Sequence, residues 1–200
     1  ILVGEWWRLI TPMFLHSGVF HVALGCWSLL TFGPQVCRGY GTFTFFLIYM
    51  LGGLFGNLTS YLHTPGSTVG GTGPIFALIG AWLTYQTQNK DVTPKAVYDS
   101  LFQKAVITTG LCFILSHFGP IDDWTHLGAV VTGIIYGFLT CPMLQFDDAS
   151  SRSGQDESIT LIRRSADPRK SVAVFAIFIL LFVALVFLVE PPLDGQVLDD

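Results

Sequence analysis

The chain has 200 residues, 51% of them apolar and only 12% charged, with a formal net charge of −4. The charges are segregated, since no Asp, Glu, Lys or Arg lies between Leu9 and Cys37, nor in the 51 residues from Gly39 to Asn89. A water-soluble core does not need such runs, whereas a bilayer does, because about 20 apolar residues span its hydrocarbon. That excludes a soluble domain and gives no footing for nucleic-acid binding; the expected class is an all-α, polytopic bundle of transmembrane helices.

Taken in chain order, spans are expected over 15–36, 42–62, 72–88, 102–117, 124–144 and 171–190. The chain opens at Ile1 without a methionine, directly into a motif-bearing loop, and is therefore read as a fragment. Residues 1–146 form the expected membrane core, 147–170 a polar loop, 171–190 an additional, separate C-terminal span, and 191–200 an acidic tail. If the loops alternate sides, one face receives Arg38, Lys90, Lys95, Lys104, Arg152, Arg163, Arg164, Arg169 and Lys170, and the other only Arg8. That asymmetry is what the positive-inside rule expects of this span count. Small residues in Gly52-Gly53-Leu54-Phe55-Gly56 and Gly128-Ala129-Val130-Val131-Thr132-Gly133 suit close helix packing in lipid. Cys26, Cys37, Cys112 and Cys141 are scattered without CxxC spacing and read as small core residues, so neither a metal nor a disulfide framework is expected. Asn57-Leu58-Thr59 matches a glycosylation acceptor but falls inside a span, and it is discounted.

Chemistry-bearing residues collect at the starts of alternate spans. His16 and His21 stand at the first, Thr72 within Val69-Gly70-Gly71-Thr72-Gly73-Pro74-Ile75-Phe76 at the third, and His126 at the fifth. If the loops alternate, these starts share one side of the membrane and can meet. An imidazole, with an ordinary pKa of about 6.5, is the usual general base for a hydroxyl. Gly71 and Gly73 let the backbone turn tightly around Thr72, and a helix N-terminus favours developing negative charge. Spacing of four puts His21 and Gly25 on one helix face. A lone histidine at a helix end is as readily a packing residue; the joint pattern favours function. His63 and His117 read as interfacial.

Trp7-Arg8 with Thr11-Pro12 and His16-Ser17-Gly18-Val19-Phe20-His21, then Tyr49, Gly52, Gly56-Asn57 and Ser60, then Gly70-Gly71-Thr72-Gly73 with Phe76, and finally His126 with Ala129 and Gly133, together resemble the rhomboid intramembrane serine proteases. The resemblance runs from about Gly4 to Pro142. It implies Thr72 at the nucleophile position, His126 as general base, and His21 with residue 25 at the oxyanion. Gly71, Gly73 and Phe76 would surround the reacting group, with His16, Trp7 and Arg8 in support and no cofactor. It also implies one more helix upstream of Ile1, and the added C-terminal helix suits the plastid members. Two positions depart from the pattern: threonine stands for the nucleophilic serine, and Gly25 for an asparagine. Cys37 stands where the family tends to have glutamate.

The expectation is therefore a rhomboid-like protein that binds transmembrane segments, with a degenerate Thr72/His126 site that is weak or inactive. The alternative is an active intramembrane endopeptidase cleaving single-span membrane proteins. An ion or proton pathway through buried histidines is a third reading, and it predicts acids in mid-span, of which the sequence has none.

Overall fold

The computed structural model describes residues 5–64, 69–91, 95–116, 122–148, 159–162 and 166–188. Two single-turn 3₁₀ helices, Trp6–Leu9 and Thr11–Phe14, lead into six α-helices. These are α1 (Val19–Tyr40), α2 (Thr42–His63), α3 (Gly73–Gln88), α4 (Lys95–Ser116), α5 (Asp123–Thr140) and α6 (Pro168–Leu188). Each expected span has its helix, with shifted ends. α1 starts at Val19 because the chain turns at Gly18, whose φ of 154° an L side chain rarely adopts. α4 begins at Lys95 because polar residues extend it beyond its apolar stretch.

The polar segment expected to be loop throughout differs in part. Gln145–Asp148 (β1) pairs antiparallel with Ile159–Ile162 (β2); Ile-Thr-Leu-Ile is rich in the β-branched residues that strands favour. Residues 149–158 and 163–165, the tail over 191–200 and His117 lie outside the described residues.

Three helices, α1, α2 and α6, are each long and apolar enough to cross a bilayer on composition alone. α3 has only 16 residues, but every position from Gly73 to Trp82 is buried. Protein rather than lipid surrounds it, so it needs little lipid-facing length. α2 and α5 enclose it through residues without side chains. A Cβ on Gly52 would fall 2.1 Å from the Ala77 Cβ, and one on Gly133 would fall 2.0 Å from the Ala77 carbonyl oxygen. Glycine is the one residue that permits backbones this close.

α1 reverses into α2 through a single residue, Gly41, in the left-handed region at φ 88°. The helix read as separate, α6, is docked on the bundle instead. Thr44 and Ser171 share a hydroxyl hydrogen bond of 3.0 Å, and the Tyr136 hydroxyl donates to the Ser171 carbonyl at 2.8 Å. Phe178 then packs edge-on against Phe55 and Tyr136.

Candidate functional site

His21 lies in the first turn of α1, Thr72 is the N-cap of α3, and His126 lies in the first turn of α5. The bundle brings these three helix starts together. Thr72 Oγ1 is 2.7 Å from His126 Nε2 and 3.0 Å from His21 Nε2, with all three residues buried.

The direction of each hydrogen bond follows from a backbone amide. Ser17 N–H donates to His21 Nδ1 at 3.2 Å, so that nitrogen is an acceptor. A neutral imidazole with Nδ1 accepting carries its proton on Nε2, which His21 therefore directs at Thr72 Oγ1. The threonine hydroxyl, accepting there, has its own proton free for His126 Nε2. A relay from Thr72 to His126 is the sense a general base requires. Asp123 Oδ1 lies 3.9 Å from His126 Nδ1, beyond hydrogen-bond reach.

Local structure fixes each of these groups. Phe76, one turn into α3, stacks on the His126 ring with centroids 4.2 Å apart and planes 25° from parallel. Asp122 caps α5 by accepting from Trp124 N–H at 3.3 Å, and it also accepts from the Thr64 hydroxyl at 3.0 Å. Capping the helix that carries His126 sets where its first turn begins. The loop before Thr72 is stitched to the chain before α1, with Gly70 N–H donating to Pro12 O at 3.0 Å and Gly71 N–H to Leu15 O at 2.9 Å.

The oxyanion side is bare. Gly25 is buried in α1 and carries no side chain. A Cβ built there would stand 3.6 Å from the Thr72 methyl and 3.4 Å from His16 Nε2. The amides of Gly71 and Gly73 are engaged, the latter donating to Gly70 O at 2.9 Å. These glycines contribute by being small. A side chain on Gly71 would strike the Leu15 carbonyl and the His16 ring, and one on Gly73 the Thr125 methyl.

Among the described residues, no hydrogen bond, ion pair or ring contact joins Trp7 or Arg8 to this cluster. Arg8 pairs with Glu5, and Trp7 packs edge-on against Trp6 with centroids 6.1 Å apart. Their loop is held by Asn57, which is buried and donates to Leu9 O at 2.8 Å. His63 stacks on Trp124 at 4.1 Å, joining the end of α2 to the start of α5. Sequence reasoning passed over Ser17 and Asp122. Asp122 could have been found as a capping residue immediately before an apolar helix. A cavity of about 620 Å³ lies between α3, α4 and α5; Phe76, Phe102, Val106 and Val130 line it, and His126 reaches its wall.

Residues 3–143 match the family model described as the Rhomboid domain. Over its whole length the chain is 58% identical to RHOMBOID-like protein 9, chloroplastic, of Arabidopsis thaliana, of which it spans 47%. Over 76% of its length it is 33% identical to Rhomboid protease GluP of Bacillus subtilis, spanning 28% of that protein. Over 68% of its length it is 34% identical to RHOMBOID-like protein 1 of Arabidopsis thaliana, spanning 34% of it.

Proposed function

The chain belongs to the rhomboid family of integral membrane proteins, and we propose that it binds transmembrane segments of other proteins while its own Thr72/His126 site performs acyl transfer weakly or not at all. One observation carries this reading: the Thr72 hydroxyl is held between two imidazoles, and the proton of His21 is spent on the nucleophile itself. Acyl transfer needs donors about 3 Å from where the new oxyanion will sit, and losing one such donor typically costs about 10²–10³ in rate. Here His21 points at Oγ1, residue 25 offers no side chain, and the Gly71 and Gly73 amides have other acceptors. The proton relay is retained; the electrostatic half of the site is reduced.

Threonine adds to this. Its Cβ methyl restricts χ1 and lies beside the space at Gly25. Internal threonine nucleophiles lack the N-terminal amine that activates them elsewhere. A plastid membrane is the compartment proposed, on the likeness to a chloroplastic relative.

The second reading, an active intramembrane endopeptidase, is favoured by the 2.7 Å separation of Thr72 and His126. Reconstitution in liposomes with single-span substrates bearing a photo-crosslinker separates the two. The proposal expects crosslinked capture of the transmembrane segment with no cleavage product. Robust cleavage by the unmodified chain that His126→Ala abolishes would establish the endopeptidase, and absence of capture would remove the binding role.

A further inference from the structure

The space at Gly25 is not empty, and what fills it has chemistry of its own. The nearest atom to a Cβ placed there is His16 Nε2, at 3.4 Å. The same ring edge lies over Gly71, where a Cβ would fall 2.6 Å from both Cε1 and Nε2. Residues 25 and 71 therefore form a slot without side chains, and the His16 imidazole sits in it next to residue 72. Its ring meets that of His21 edge-on, with centroids 5.0 Å apart. The backbone bond from Gly71 N–H to Leu15 O fixes the residue before His16 against the slot.

His16 is half-buried, and among the described residues neither of its ring nitrogens has a hydrogen-bond partner. Cysteine, aspartate and glutamate do not complete a metal set around it, since no such group of three occurs among the described residues. What remains is a ring nitrogen beside the nucleophile whose hydrogen-bonding capacity is unspent among the described residues.

We propose that His16 supplies, from the loop before α1, the oxygen-holding donor that residue 25 lacks, so that its imidazole and the slot at residues 25 and 71 form a cradle beside residue 72. Its ligand is the oxygen of a peptide carbonyl brought to the site, or the oxygen of the adduct formed on the hydroxyl. The proposal rests on the site being a reduced acyl-transfer centre. The Thr72 methyl takes the remaining part of the slot, so the cradle is narrowed in this chain and opens when that methyl is removed.

An alkyl fluorophosphonate reports on the cradle. In a Thr72→Ser protein the Oγ attacks phosphorus as its proton passes to His126 Nε2; the O–P bond forms, the P–F bond breaks, and fluoride leaves. The phosphoryl oxygen gains charge during attack and requires the donor. Full-length reconstituted protein carrying Thr72→Ser is labelled with and without further changes at residue 16. His16→Ala is expected to slow adduct formation about 10²–10³-fold with the thermal midpoint unchanged. His16→Gln, which keeps a donor, should retain most of the rate. Gly25→Asn should add little to Thr72→Ser alone, because the ring blocks it, yet restore rate to the His16→Ala protein.

A rate indifferent to His16→Ala overturns the proposal, as does a loss that tracks thermal stability and is not recovered by His16→Gln. Should Thr72→Ser fail to label, histidine ring ¹⁵N spectra of the unmodified chain titrated with a peptidyl boronate decide. A shift at His16 Nε2 supports the cradle; no binding, or a shift confined to His126, overturns it. Capture of transmembrane segments is read separately, so either conclusion can fall while the other stands.

Discussion

Thr72 differs from serine by one methyl group, and that methyl faces the glycine in α1. Replacing Thr72 with Ser keeps the hydrogen bonds to His21 and His126 and clears the slot. The expected outcome is cleavage of a single-span substrate that the unmodified chain leaves intact, followed by gel in liposomes and abolished by His126→Ala. Thr72→Ala goes the other way, leaving two buried imidazole nitrogens without their shared partner; a loss on the order of 1–3 kcal/mol is expected, read from thermal unfolding in detergent. Position at helix starts in glycine-bordered apolar sequence made Thr72, His126 and His21 legible, and the family resemblance added Phe76 and the role of each. The occupant of the Gly25 space was not legible, since His16 reaches it across three dimensions from a different segment. Nor could sequence assign the His21 tautomer, which depends on one backbone amide, that of Ser17.

Among the elements, α3 shows how short a helix can be when protein surrounds it. Its closest neighbour contact runs through Gly133 of α5, where any Cβ would overlap the Ala77 carbonyl. Gly133→Ala must push α5 from α3, and with it His126 from Thr72; a cost of about 1–3 kcal/mol or more is expected. Gly110→Ala on α4 meets no atom within 4 Å and should change stability by less than about 1 kcal/mol, in the stabilising direction. Equal losses from both in chemical denaturation would refute this account of packing. The GxxxG-like clusters announced such contacts in the sequence. The docking of α6 was hidden, because an all-apolar helix looks the same whether lipid or protein covers it. Its polar anchor is Ser171, whose partners Thr44 and Tyr136 lie far away in the chain.

Across the whole molecule, the orientation in the membrane follows from charge. Arg38 ends α1, Lys90 follows α3, Lys95 begins α4, and Arg169 and Lys170 begin α6, whereas His21, Thr72 and His126 stand at the opposite ends of α1, α3 and α5. Basic residues near helix ends are retained on the side from which the chain is inserted, so all five are expected on one face, with the site opening towards the other. The first five helices satisfy this if each crosses once, including the enclosed α3. Single cysteines placed at Lys90 and Lys170 should react with an impermeant maleimide from one side of sealed vesicles. Cysteines at Ser17 and Thr64, beside the site, should react only from the other. Labelling of Lys90 and Ser17 positions from the same side would mean that one of α1, α2 and α3 does not traverse the bilayer. The common end of α1, α3 and α5 would then lose its place at a membrane surface, which a helix presenting its terminal residues there requires.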